Sequence, residues 1–163
     1  MSFTEGTIEI VEIMLTPDHN WGATEIEKQR MSKVDSVECV AGKGLRGDRY
    51  FDHKEDFHGQ VTFIDQKTVD AVKEHAGKPD LDPSVLRRNI LLAGIDLNEL
   101  IGKRFSIDGT EFSGSEECSP CRWMDVVAGE GAKLVMKDRG GLRCRILSDG
   151  TLKRGEATIV LFS

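Results

Sequence analysis

The chain has 163 residues, with 22 Lys and Arg against 28 Asp and Glu, a formal net charge of −6 and a mean hydropathy of −0.32. That length fits a single domain spanning 1–163. The acidic balance excludes a sequence-independent nucleic-acid binder, and no apolar run approaches the ~18 residues of a membrane-spanning helix.

The first residues, MSFTEGTIEI, lack the basic start and apolar stretch of a secretory leader, so a cytoplasmic setting is expected. Four cysteines are too few for a disulfide scaffold, which turns attention to metal or nucleophile chemistry. Seventeen glycines exceed the usual share of ~7% and forecast many turns.

In chain order, TIEIVEIML reads as a strand in which Ile8 and Ile10 share one phase and Ile13 and Leu15 the other. The switch at Val11-Glu12 predicts a bulge. AGKGLRGDRYF, residues 41–51, is a glycine-rich basic loop carrying Lys43, Arg46 and Arg49. Glycines there let backbone N–H groups approach an anion, although a solvated turn needs no such function. It matches neither a Walker lysine pattern nor GxGxxG. GQVTFI is a short apolar strand. Asp65 can cap a helix in which Val69, Val72 and Ala76 recur at helical spacing and which Gly77 ends. A loop lies between Pro79 and Pro83, after which LRRNI runs into the strand RNILLAGI.

RFSI-DG-TEFS is a two-residue hairpin that sets Phe105 opposite Phe112 and Ile107 opposite Thr110. ECSPCRWMD follows, then a helical stretch interrupted around GEGAKLVMKD. In GGLRCRIL, Leu142, Cys144 and Ile146 take one face and Arg143 and Arg145 the other, which makes Cys144 a core residue. LRCRILS-DG-TLKR reads as a second hairpin, with Leu147 opposite Leu152 and Arg145 opposite Arg154. That apposition is unfavourable unless an anion lies between the two, or both simply reach into solvent. ATIVLF, apolar on both faces, closes the chain. Short strands at close spacing with glycine turns predict a mainly β fold: a closed or nearly closed, mostly antiparallel β-barrel with a few peripheral helices.

Cys118 and Cys121 bracket a proline ahead of a helix-like segment. A thiol placed there, with Arg122 beside it, gains thiolate character suited to metal ligation or nucleophilic sulfur chemistry. Zinc would need Cys39, Cys144 or histidines at irregular spacing to complete four ligands. A thioredoxin-like pair would need a preceding βαβ pattern, which is absent, and two buried core cysteines are the bland alternative.

Taken in order, GLRGDRYF, HGQVTFI, RRNILLAGIDLNELIGKRF, CSPC and GGLRCRILSDGTLKRGEATIV resemble the MOSC family, named after the C-terminal domain of molybdenum cofactor sulfurase. The likeness runs from about Gly42 to Leu161 and is nearest to the small stand-alone bacterial members. It implies a β-barrel binding molybdenum cofactor (Mo-molybdopterin) in a cleft, with Cys121 as the thiolate that ligates molybdenum or carries sulfur. The cationic candidates for the cofactor's phosphate are Arg46, Arg49, Arg88 and Arg145, with Gly47 in the same loop as Arg46 and Arg49. Gln60 and Asn89 are candidates to hydrogen-bond the pterin. Two positions depart from the family: Gly155-Glu156, where an Asp commonly follows the glycine, and Cys144, where a small residue is usual. A pyridoxal-phosphate domain does not fit in this length, and pyridoxal phosphate is not expected.

The function this implies is an oxidoreductase that reduces N-hydroxylated small molecules by oxygen-atom transfer to molybdenum. No flavin or haem motif is present, so electrons must come from a separate donor protein. The alternative is a non-catalytic carrier or sulfur-transfer module, delivering cofactor or a Cys121 persulfide between donor and acceptor proteins. Nucleic acid and membrane partners are not expected.

Overall fold

The computed structural model describes residues 3–19 and 30–162. In chain order its strands are β1 (Phe3–Leu15), β2 (Ser32–Val34), β3 (Ser36–Val40), β4 (Gly44–Leu45), β5 (Val61–Asp65), β6 (Ile90–Ala93), β7 (Arg104–Ile107), β8 (Thr110–Glu117), β9 (Leu142–Ile146), β10 (Gly150–Lys153) and β11 (Gly155–Phe162). Its α-helices are α1 (Gln66–Ala76), α2 (Trp123–Ala128) and α3 (Ala132–Val135). Seven strands, in the order β11-β7-β8-β9-β5-β6-β1, close on themselves through β1 and β11 into a barrel. β2 extends from β1, and β10, β3 and β4 form a small second sheet. Pairing is antiparallel except between β5 and β6, which α1 connects in the manner parallel neighbours require. The expected barrel is present.

β1 serves two barrel neighbours, besides β2 at its far end, because its phase changes midway. Its first part pairs with β11 from Phe3↔Phe162 to Ile10↔Gly155, and its second part with β6. The register slips between Ile10 and Glu12, leaving Val11 as the extra residue of the expected bulge. Ile8, Ile10 and Ile13 thereby all reach the barrel interior. The hairpin at Asp108-Gly109 also forms as read, with Phe105↔Phe112 and Ile107↔Thr110. Both turn residues have positive φ, 47° and 86°, the conformation a tight two-residue connection demands.

The second Asp-Gly hairpin does not form. Both edges of β9 are occupied, by β5 and β8, so β10 pairs with β3 instead, and the Asp149 carboxylate accepts from the Ala41 N–H at 2.8 Å. Arg145 and Arg154 are therefore not apposed. Arg145 Nε bonds Asp56 at 2.8 Å, while Arg154 meets Asp35 and Glu12.

Phe63, Phe105 and Phe112 fill the barrel, with ring centroids 5.4–6.2 Å apart. Each such burial is worth about 1.5–3 kcal/mol. A second apolar cluster lies outside the barrel. There Val69 and Val72 of α1, with Met124, Val127, Ala132 and Met136, cover Ile64 and Leu91. This explains why β5 and β6 read as apolar throughout: each has a covered face on both sides. α1 starts and stops as expected, with Asp65 accepting from the Lys67 N–H and Gly77 at φ 63°. α2 and α3 are broken at Gly129–Gly131, again as read. Among the described residues no helix is long and apolar enough to cross a membrane.

Candidate functional site

Thr62 of β5 and Arg143 of β9 are paired, and a cleft of about 370 Å³ opens beside them. The loop after β4 contributes Arg49, Tyr50, Phe57 and His58. The turn before β6 contributes Arg87 and Arg88, and the segment between β8 and α2 contributes Cys118, Ser119 and Cys121, with Trp123 following in α2.

Local packing fixes the cysteine segment. At Gly140 a Cβ would lie 2.4 Å from the Cys118 carbonyl oxygen and 2.7 Å from Pro120 Cδ. At Gly141, with φ 125°, it would lie 2.4 Å from the Phe63 carbonyl oxygen. Only a glycine pair allows this approach. Arg88 then ties the pieces together: Nε donates to Gly140 O at 2.8 Å, Nη1 to Leu86 O at 3.0 Å, and Nη2 to Cys118 O at 2.8 Å. The Cys118 N–H donates to Gly141 O at 2.8 Å. Arg87, in the left-handed region at φ 64°, points the other way and donates to the carbonyls of Asp18 and His19 at 2.7 and 3.0 Å. Its own carbonyl accepts from Arg49 Nη2 at 3.2 Å.

The cleft is rich in guanidinium groups, with Arg49, Arg87, Arg88 and Arg143 in its lining. Among the described residues Asp48 pairs with Arg49 at 3.3 Å and Glu116 with Arg143 at 3.3 Å, while Arg88 bonds backbone carbonyls. Burial, reinforced by Arg49, pulls the Arg87 guanidinium down to about 10. Burial, then His53 and Arg49, also holds His19 below its ordinary value. Burial alone would lower Arg143 too, but the nearby Cys118 sulfur and Glu116 outweigh it, and its shift is upward. An enclosed cationic surface of this kind attracts anions. Trp123 adds a buried Nε1 with no hydrogen-bond partner among the described residues.

Inorganic phosphate at ten times its Kd is expected to stabilise the chain by about 1.4 kcal/mol. Arg49→Ala should abolish most of the rise in Tm. Differential scanning fluorimetry against chloride of equal ionic strength checks this, and no phosphate-specific rise would contradict it.

Of the residues singled out in the sequence, the cleft brings together Cys118, Cys121, Arg49 and Arg88. Cys121 is the exposed cysteine; Cys39, Cys118 and Cys144 are buried. Burial pushes the Cys39 thiol up to about 12 and Cys144 well upward, which leaves both as inert core residues. Arg46 lies outside the cleft lining, on Glu38 and over the Phe51 ring. Gly47 serves a turn at φ 94°. Gln60 Oε1 accepts from the Ile146 N–H at 2.9 Å. Asn89 is buried, accepting from the Thr62 N–H and donating to Met14 O, both at 3.1 Å. Arg145 is held by Asp56. Asp125 accepts from the Lys133 N–H at 2.8 Å.

Arg87, Arg143, His58, Tyr50 and Trp123 are cleft residues that the sequence reading did not select. The signal for Arg143 was the shared face of Arg143 and Arg145, and for Arg87 its place next to Arg88. His58 Nε2 sits 2.9 Å from Glu116 Oε1 at the rim. No three His, Cys, Asp or Glu side chains converge as a metal-ligand group among the described residues.

A family model described as the MOSC domain matches residues 20–158. Among solved structures, the YuaD protein from Bacillus subtilis is 16% identical with a TM-score of 0.77, covering 99% of this chain and 100% of that one. YiiM from Geobacillus stearothermophilus is 16% identical with a TM-score of 0.69, covering 96% and 75% respectively. YiiM from Escherichia coli is 15% identical with a TM-score of 0.63, covering 95% and 70%. At such identities the likeness speaks for the fold alone. No curated protein matches the chain.

Proposed function

The chain belongs to the MOSC domain family, and from that premise we propose that its cleft binds molybdenum cofactor and reduces N-hydroxylated small molecules. The observation that carries this reading is an exposed thiol, Cys121, on a cleft that the guanidinium groups of Arg49, Arg88 and Arg143 also line. The donor set fits the group: one soft sulfur for the metal, planar cations for an oxyanion, and an unpartnered indole N–H for a further acceptor.

When bound, molybdenum cofactor supplies two-electron oxygen-atom chemistry. Cys121 Sγ would be the metal ligand. Arg49 and Arg143 would hold the anionic part, while Arg88 fixes the segment that carries Cys121. Tyr50 and Phe57, with ring centroids 5.2 Å apart, form an aromatic wall that excludes water and packs against a flat molecule. Reducing R–NHOH to R–NH2 and water takes two electrons and two protons. His58, held at the rim by Glu116 through Nε2, is the proton donor we assign to the departing oxygen. The electrons come from a separate donor protein.

The exposure of Cys121 also favours a second reading, a carrier or sulfur-transfer module that presents this sulfur to a partner. The test is to assay the metal-loaded protein with an N-hydroxylated purine or an amidoxime and an artificial electron donor. Amine formation is expected. Bound molybdenum without turnover would assign the carrier role.

A further inference from the structure

The oxidoreductase reading leaves Cys118 without a task, yet both cysteines of the CSPC segment line one cleft. They differ sharply in access: Cys121 is exposed, whereas Cys118 is 5% exposed. Residues 118–122 belong to neither strand nor helix. The Cys118 backbone is pinned at both its N–H and its carbonyl, by Gly141 and Arg88. Arg143 lines the same cleft as both cysteines. A solvent-facing thiol with a shielded second thiol on the same cleft is the arrangement of an oxidation site with its resolving partner.

We infer that Cys121 and Cys118 form a reversible peroxide-driven disulfide, with Cys121 oxidised first and Cys118 resolving. In the first step Cys121 sulfur attacks hydrogen peroxide. An S–O bond forms, the O–O bond breaks, the thiol is oxidised to a sulfenic acid, and the hydroxide released is protonated to water. In the second step Cys118 sulfur attacks Cys121 sulfur. The S–S bond forms, the S–O bond breaks, and the hydroxide leaves as a second water. The sum is two thiols and one peroxide giving a disulfide and two waters, and a dithiol reductant reverses it. Disulfide formation is independent of the cofactor. Only its consequence, removal of the Cys121 ligand under oxidising conditions, rests on the function proposed above.

Cys39 and Cys144 are internal controls, being buried in the barrel core. The test uses the purified full-length chain with no cofactor added, treated with hydrogen peroxide and then denatured for thiol counting and peptide mapping. Two of the four thiols should be lost, the peptide holding both CSPC cysteines should be lighter by two hydrogens, and dithiothreitol should restore it. In Cys118→Ser, dimedone trapping of Cys121 sulfenic acid should rise roughly tenfold over the unsubstituted chain. Retention of all four thiols, equal oxidation of Cys39 or Cys144, or a Cys121 sulfenic acid that persists without a disulfide would each overturn the inference. A disulfide found in a protein that never binds molybdenum would sustain it while removing the cofactor reading.

Discussion

Arg88→Ala is expected to destabilise the chain by about 3–5 kcal/mol, before any cofactor is considered. Arg88 is 6% exposed and satisfies carbonyl oxygens from three separate segments: Leu86, Gly140 and Cys118. Truncation leaves those acceptors buried with no replacement donor, and an unmade bond to a buried acceptor is worth more than the bond contributes when made. The segment carrying Cys121 would lose its anchor to the glycine pair at the same time. Arg88→Lys should recover only part of the loss, since a point ammonium cannot span three carbonyls as a planar fork does. Urea unfolding with an unchanged slope reads the effect directly. If Arg88→Ala were as stable as the parent, Arg88 would not be the tie described here, and a direct grip on a ligand would be the better account of it.

Cys121→Ser is expected to behave in the opposite way, leaving stability within about 0.5 kcal/mol because the side chain is exposed. Molybdenum retention should fall by at least about a hundredfold, since a hard hydroxyl is a poor substitute for a soft thiolate. Metal content by mass spectrometry, alongside a melting curve, separates the two effects. Equal losses in Cys118→Ser and Cys121→Ser would instead point to a site that needs both sulfurs.

Much of this architecture was legible because it is locally determined. The Asp108-Gly109 turn, the Asp65 cap and the phase switch in β1 each depend on residues a few positions apart. The second Asp-Gly pair failed as a hairpin because strand pairing depends on which edges remain free, and both edges of β9 are taken by strands distant in sequence. Cys121, Arg49 and Arg88, singled out by their motifs, line one cleft. Alternation could not separate Arg143 from Arg145, which share a face. The β5–β9 register decides it by setting Arg143 opposite Thr62 at the cleft, while Arg145 lies opposite Ser113 and reaches Asp56. Gln60 and Asn89 look like ligand-binding polar residues in sequence, yet their amides satisfy backbone groups in the interior.

The central claim, a cleft built for molybdenum cofactor, is tested most directly by the metal content of the unsubstituted chain, purified in parallel from cells able to make the cofactor and cells unable to. Molybdenum approaching stoichiometry with the chain in the first preparation, and only background in the second, is the expected result. Background molybdenum in both, from protein that is fully folded and has Cys121 reduced, would contradict it.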